Sequence, residues 1–411
     1  MAASPQFDLI VFGATSFVGQ ILTRHLFDRH GTDEGVRWAL AGRSEPKLAQ
    51  LRATLGAGAE ALQLIVADAR NPEAMRDLCA QTRVVVSTVG PYALYGSELV
   101  AACAATGTDY CDLTGEVQWI HRMIAQHEDT AKASGARIVH CCGFDSIPSD
   151  LGVHHLQSAS RERFGAPAER VKLRINALRG GASGGTVASL MNVMKEVAAD
   201  PSLRGILSDP YALAPTEGDA RPARQPNVQL GEFDAEIKAW LAPFVMAAIN
   251  TRIVHRSNLL SGFAYGQGFV YDEAMTTGPG LKGQFKANAV ALAVGGFVGL
   301  SALRPSRALL ERFVVPKPGE GPSPEAQQKG YFDFRFYGRT AGGDTVVTKV
   351  TGDRDPGYGS TGKMLGEAAV CLAHDVDSSN LGGGFWTPAT ALGDALIERL
   401  VAHAGLTFEV L

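Results

Sequence analysis

The chain has no CxxC pair among its cysteines, no histidine cluster, no excess of one charge and no apolar run long enough to cross a bilayer. The six cysteines, at 79, 103, 111, 141, 142 and 371, fall mostly in apolar strand-like or helix-like patterns. Reduced, buried thiols in a cytosolic setting are therefore expected. His140, His154 and His155 have no metal-ligand companions at useful spacing, so they read as packing or surface residues and no metal is expected. With 38 Lys and Arg against 42 Asp and Glu, the net charge of −4 gives no bias toward polyanions. Nucleic acid is not an expected partner. No basic-then-apolar leader precedes Asp8, so no signal peptide is expected, and neither an internal repeat nor a low-complexity tract is evident.

The stretch Ala287 to Leu303 holds 17 residues without a charge, between Lys282 and Lys286 on one side and Arg304 and Arg307 on the other. A spanning helix usually needs about 20. A buried helix is the plain expectation. An apolar surface that admits an acyl chain or rests peripherally on lipid is the sharper one, and Gly295 and Gly299 would permit close helix contact.

What the chain does have is a long α/β alternation. Of its 411 residues, 45% are hydrophobic and 19% charged, enough for the core of a two-domain enzyme. The start, Asp8-Leu-Ile-Val-Phe-Gly13-Ala-Thr15-Ser16-Phe17-Val18-Gly19, is an apolar strand entering a glycine-bounded turn and then a helix. Such a junction gathers free N–H groups and the positive end of a helix dipole around a phosphate. Gly13 would allow the turn and Gly19 close packing of the helix on the strand. Ser16 stands where a middle glycine would usually admit a pyrophosphate, and its hydroxyl is a candidate donor.

Further strands are predicted over 36–42, 61–68, 84–90, 108–113 and 136–143, with helices near 17–30, 45–55, 72–81, 94–106 and 117–134. Right-handed crossovers then give a doubly wound parallel sheet of Rossmann type, its ligand at the carboxyl ends of the strands. After the second strand, where an NAD site carries an acidic residue, stands Ala41-Gly42-Arg43-Ser44. An arginine fork beside a small hydroxyl suits a 2′-phosphate, so NADP is expected ahead of NAD. Asp68, ending the third strand, is a candidate for the adenine or else a cap for the next helix.

Three turns rich in Gly, Pro, Tyr and Asp follow the fourth, fifth and sixth strands: Ser87 to Gly96, Tyr110 to Glu116, and Cys142 to Gly152. Val89, Gly90 and Pro91 in the first are further candidates for cofactor contact. The segments Gly13 to Gly19, Gly90-Pro-Tyr-Ala-Leu-Tyr-Gly96, Tyr110-Cys-Asp-Leu-Thr-Gly-Glu116, Gly143-Phe-Asp-Ser-Ile-Pro-Ser-Asp150 and Pro356-Gly-Tyr-Gly-Ser-Thr-Gly-Lys363-Met-Leu resemble those of the saccharopine dehydrogenase-like oxidoreductases. Within that group the chain looks most like the trans-acting enoyl reductases that serve polyketide synthases. The resemblance implies a Rossmann domain, a second mixed-sheet domain and NAD(P) binding, and leaves the substrate open.

The expected organisation is an NAD(P)-binding domain over 1–150, a substrate domain with a mixed or antiparallel sheet over 151–355, and helices over 356–411 packing back on the first domain. Arg170 to Leu178, Tyr331 to Tyr337 and Asp344 to Val350 read as strands of the second sheet, the last two joined by Ala341-Gly342-Gly343. The stretches Ala214 to Val228 and Pro316 to Gln328 read as loops or lids. Gly359 to Ala373 and about Ala389 to His403 read as helices.

An enoyl reductase adds hydride to the β carbon of an unsaturated thioester and a proton to the α carbon. Tyr92 is the first candidate donor, with Tyr95 and Lys363 behind it, while Asp145 and Asp150 are expected to shape the cleft. The substrate would be a small or carrier-bound acyl group, and a second copy of the chain is kept as a candidate partner. Two alternatives stay open. One is C–N oxidoreduction, with Arg174, Arg179 and Lys195 as candidate carboxylate binders; the other is a non-catalytic NADP-binding scaffold at a lipid surface.

Overall fold

The computed structural model describes residues 5–32, 35–180, 184–214, 223–302, 306 and 321–411. Strand and helix alternate from the start: β1 (Phe7–Phe12), α1 (Phe17–His30), β2 (Trp38–Gly42), α2 (Glu45–Leu55), β3 (Gln63–Val66), α3 (Pro72–Cys79), β4 (Thr82–Ser87), α4 (Tyr92–Tyr95), α5 (Ser97–Thr106), β5 (Asp109–Asp112), α6 (Val117–Ser134) and β6 (Arg137–Val139). The spatial order β3-β2-β1-β4-β5-β6 is parallel throughout and changes direction between β1 and β4. That is the doubly wound order, with its ligand crevice at the reversal. All six residues of β1 are buried. Because successive side chains point to opposite faces, Leu9 and Val11 join one core with Leu22 and Leu26 of α1, while Ile10 and Phe12 join another with Leu99 of α5 and Trp119 of α6. A strand covered on both faces therefore reads as an unbroken apolar run.

From β6 the chain enters α7 (Ile147–Phe164) and then β7 (Ala168–Arg179), α8 (Gly184–Ala199), α9 (Leu203–Ser208), β8 (Glu232–Asp234), β9 (Ala239–Pro243), α10 (Ala247–Leu260), β10 (Val270–Gly278), α11 (Gly280–Ala302), β11 (Tyr331–Thr340) and β12 (Thr345–Gly352). A helix, Thr361–His374, and two last strands follow, β13 (Gly384–Trp386) and β14 (Leu406–Val410). The second sheet has the order β14-β12-β11-β7-β10-β9-β8. Only β7 and β10 pair in parallel, so the sheet is mixed. Phe332, Phe334 and Phe336 alternate inward along β11, meeting Ile147, Leu151 and Leu156 of α7 in one continuous core. Helix Thr361–His374 contributes Met364, Leu365 and Ala368 to the same core and packs on α1, β4 and β5.

The structure departs from the sequence reading where single backbone conformations or distant pairings decide. The strand expected to run to Gly143 stops at Val139, because Cys141 takes a positive φ of 63° that no strand accommodates. The helix expected over 94–106 is two pieces, α4 and α5, and the one expected from Ala389 to His403 is broken at Gly393, whose φ is 44°. Strands β13 and β14 were not legible: β13 adds a seventh parallel strand beside β6, and β14 caps the second sheet beside β12. Residues 215–222 and 316–320 of the two expected loops lie outside the described residues, and Pro324–Gln328 is a short helix.

The charge-free stretch falls in α11, with Leu303 outside the described residues. It is not simply buried. Ala287 and Ala291 face the protein, whereas Leu292, Leu300 and Val298 are 77%, 50% and 40% exposed. Among the described residues no helix is long and apolar enough to cross a membrane.

The seat of α7 on the second sheet has a direct test. A Cβ built on Gly152 would lie 2.2 Å from Phe336 Cζ, too close for any rotamer of that ring to absorb cheaply. Gly152→Ala is expected to cost about 1–3 kcal/mol of stability through overpacking, measured by denaturant unfolding.

Candidate active site

The carboxyl ends of the six N-terminal strands lie on one edge, and the turns that leave them carry nearly all the polar candidates. Gly13 adopts φ 87°, and a side chain there would sit 2.7 Å from Val89 Cγ2 and 2.8 Å from Thr88 Oγ1. A Cβ on Gly19 would lie 2.3 Å from the Gly13 carbonyl oxygen. Both glycines are thus required by the turn itself. Thr88, which the sequence reading did not single out, donates to the Gly13 carbonyl at 2.9 Å. Its oxygen then accepts from Ser16 at 2.9 Å, and Ser16 Oγ in turn accepts the Gly19 N–H at 2.9 Å.

Ser16 is therefore the N-cap of α1, with its proton committed to Thr88. This corrects the expectation of a free donor. Replacement by glycine would open the approach but remove both bonds. The N–H groups of Thr15, Phe17 and Val18 bond to nothing among the described residues, and they stand at the positive end of a 14-residue helix. Three free donors over a turn with no room for a side chain fit a pyrophosphate. Phe17 closes one side of the turn, edge-on to Tyr358 at 4.7 Å.

At the end of β2, Arg43 is exposed and makes no ion pair among the described residues. Ser44 stands at the N-cap position of α2 without using its hydroxyl there. Both are free for a 2′-phosphate. Asp68 accepts the Arg70 N–H at 3.0 Å, and the cap of α3 is Asn71 instead, so the capping alternative for Asp68 is set aside.

The tyrosines separate. Tyr92 is 3% exposed, donates its one proton to the Ser87 carbonyl at 2.9 Å, and packs 5.5 Å from Trp119. Burial, reinforced by Asp112, pushes its phenol well above the ordinary range. Tyr92 is thus a strut of the site and is withdrawn as proton donor. Gly90 and Pro91 precede it in the same turn, joined by a cis peptide bond. Tyr95 turns to Arg70, after β3, with the guanidinium 5.2 Å from its ring. Lys363, in the first turn of Thr361–His374, is half-buried; desolvation holds its ammonium below its ordinary pKa, and its charged neighbours are Asp353 and Arg354. The three candidates are not one cluster.

Sequence reasoning also missed how the carboxylates of this edge are held. Asp112 accepts from Tyr110 Oη at 3.0 Å, from the Thr114 and Cys141 N–H groups at 3.1 Å, and from His140 Nδ1 at 2.7 Å. His140 is thus the partner of a buried carboxylate 28 residues away, with Nε2 unpartnered. Glu116 grips the backbone N–H groups of Tyr92 and Ala93 at 2.8 and 2.9 Å and the Ser189 hydroxyl at 2.7 Å. Asp150 accepts from Ser257 at 2.5 Å and from the Ala389 N–H at 2.8 Å, pinning the C-terminal segment to α7. Only Asp145 is left without such a bond among the described residues. Glu273 on β10 accepts from Asn250 at 2.9 Å and Tyr271 at 2.7 Å, and burial pushes it up to about 7. All six cysteines are buried and free.

A glycine turn over a free helix N-terminus, an unpaired arginine after β2 and a polar cleft over β4 to β6 define a dinucleotide-dependent oxidoreductase. Residues 9–139 match the family model of the saccharopine dehydrogenase NADP-binding domain. A Mycobacterium tuberculosis protein named as a trans-acting enoyl reductase is 43% identical, covering 100% of this chain and 99% of its own length. A Mycobacterium ulcerans trans-acting enoyl reductase is 40% identical, covering 97% and 96%. The fold is also that of apo saccharopine dehydrogenase (L-Glu forming) from Saccharomyces cerevisiae, with TM-score 0.53 at 12% identity over 98% of this chain and 100% of that one. The chain belongs to the saccharopine dehydrogenase-like oxidoreductases, and its cofactor is NADP.

Two measurements test these assignments. Arg43→Ala is expected to weaken NADPH by on the order of 1.5 to 3 kcal/mol, the worth of a charged hydrogen bond, while leaving NADH unchanged in calorimetric titration. Glu273, raised from 4.5 to about 7, holds a proton in the folded state across that window that the unfolded chain has released. Its contribution to stability therefore falls as pH rises from about 4.5 to about 7. Glu273→Gln should make that part of the stability profile less steep, measured as midpoint of urea unfolding against pH.

Proposed function

We propose that this protein is an NADPH-dependent enoyl reductase that saturates the α,β double bond of an acyl thioester. The observation that carries the reading is the full-length likeness to relatives named trans-acting enoyl reductase. NADPH, when bound, supplies the hydride. The turn from Gly13 to Gly19 holds its pyrophosphate by backbone N–H groups, and Arg43 with Ser44 holds the 2′-phosphate. Val89, Gly90 and Pro91 present backbone beside the nicotinamide half, and Glu116 keeps that turn in place through the N–H groups of Tyr92 and Ala93.

One of the cations considered for an amino-acid substrate is already committed within the second sheet. A substrate with two carboxylates needs unpaired cations in the cleft. Arg174 is 2% exposed and already neutralised by Asp272 at 2.7 Å and Asp234 at 3.2 Å, so it has no charge to offer. Arg179 is exposed at the end of β7, beside Gly180, which abuts Asp355 and Pro356.

NADPH oxidation followed at 340 nm with a panel of enoyl thioesters, against a panel of keto acid and amine pairs, separates the readings. Turnover is expected with the enoyl thioesters and to improve with acyl length, since each methylene removed from water contributes about 0.8 kcal/mol. Oxidation with the keto acid and amine pairs alone would replace this function with C–N reduction.

A further inference from the structure

Reduction of an enoyl thioester needs a proton for the α carbon, and Tyr92 cannot supply it. The edge of the parallel sheet offers another group. Asp145 lies in the turn Gly143 to Ser146, where β6 hands over to α7. Its carboxyl has no hydrogen bond and no ion pair among the described residues, unlike Asp112, Glu116 and Asp150 around it. It looks across a gap above Gly115. A methyl placed on Gly115 would lie 3.8 Å from Asp145 Oδ2, 3.8 Å from Ile249 Cγ2 and 3.9 Å from Met246 Cε. A group the size of a methyl there would touch the carboxylate oxygen and two apolar side chains, at the carboxyl-terminal edge of β5 and β6.

The turn is also built at a cost. Ser146 carries φ 127°, outside the range a side-chain-bearing residue usually adopts, and such strain persists only where the surroundings enforce it. Enforcement comes from a buried chain: Ser146 Oγ donates to Asn250 Oδ1 at 3.1 Å, and Asn250 Nδ2 donates to Glu273 at 2.9 Å. As a residue Asp145 is intermediate in exposure, between its buried neighbours Phe144 and Ser146. Just before the turn, the Cys141 thiol is pushed up chiefly by burial, with the charges of Asp112 and Asp145 adding to the effect. With no cation to offset desolvation, the Asp145 carboxyl is pushed up to about 7.

We propose that Asp145 is the catalytic acid, the residue that delivers the proton to the α carbon of the enoyl substrate. The assignment rests on the enoyl reductase reading above. As hydride from NADPH bonds to the β carbon, the π electron pair of the C=C bond moves onto the α carbon and thioester oxygen. The Asp145 O–H bond then breaks and its proton bonds to the α carbon. The carboxylate left behind stands at the N-terminal end of α7, whose dipole favours it, and water restores the proton.

Wild type, Asp145→Asn and Asp145→Glu decide the matter. In cofactor-free protein, difference infrared titration should show a carboxylic C=O band vanishing with a midpoint near 7, and Asp145→Asn should lack that band while keeping those of Asp150 and Glu273. Asp145→Asn should lower kcat with enoyl thioester about 100-fold to 10,000-fold, the usual worth of general acid catalysis, with KM and the NADPH Kd unchanged and Asp145→Glu partly restoring kcat. Wild-type kcat should fall as pH rises through about 7. An unaltered infrared titration, or unchanged kcat in folded Asp145→Asn, would overturn the assignment and leave the enoyl reductase reading standing. Should Asp145→Asn not fold, a wild-type kcat that stays flat across that pH range overturns it equally. Wild type that turns over no enoyl thioester overturns the function and this acid together.

Discussion

Covering both faces of a seven-stranded parallel sheet is the constraint on which the rest of this structure depends. Every strand from β1 to β6 presents side chains in two directions, so each face needs its own layer of helices. On the side of Ile10 and Phe12, α3, α5 and α6 provide that layer from nearby sequence. On the side of Leu9 and Val11, part of the layer arrives from more than 300 residues downstream, as Met364, Leu365 and Ala368. The second sheet is thereby tied to the first through shared apolar core. Helix α7 follows β6 of the first sheet and packs on β7, β11, β12 and β14 of the second, so the turn that begins it joins the two.

That tie also explains the distribution of polar groups. Parallel strands bring all their carboxyl ends to one edge, and the acidic residues there must either be bonded or remain at a solvent-facing gap. Asp112, Glu116 and Asp150 are bonded, each to backbone N–H groups as well as to side chains. These bonds hold the turns after β5 and β4 and the C-terminal segment in fixed relation. Asp145, in the same edge, has the space above Gly115 instead of a partner.

The legible parts of the site are those whose conformation is decided within a few residues. Gly13 and Gly19 were readable because the strand-to-helix turn itself gives the first a positive φ and sets the second against the Gly13 carbonyl. The role of Tyr92 was not: a tyrosine after Gly-Pro at a cleft looks like a donor until the Ser87 carbonyl is found to take its proton. His140 does pack, 5.0 Å from Trp119, but its partner Asp112, 28 residues away, was not legible. Strands β13 and β14 escaped because three and five residues carry too little periodicity to mark a strand.

By itself, the sequence determined the alternation of strand and helix, hence the parallel sheet and the glycine turn at its carboxyl edge. Those features follow from period, turn stereochemistry and residue type, which act locally along the chain. Only the tertiary structure decided which hydroxyls and carboxyls on that edge are free. A side-chain proton or lone pair is occupied by whatever neighbour the fold supplies. For Tyr92 that neighbour is five residues away, for Ser16 it is Thr88, for Asp150 it is Ala389, and for Asp145 no described residue fills the place.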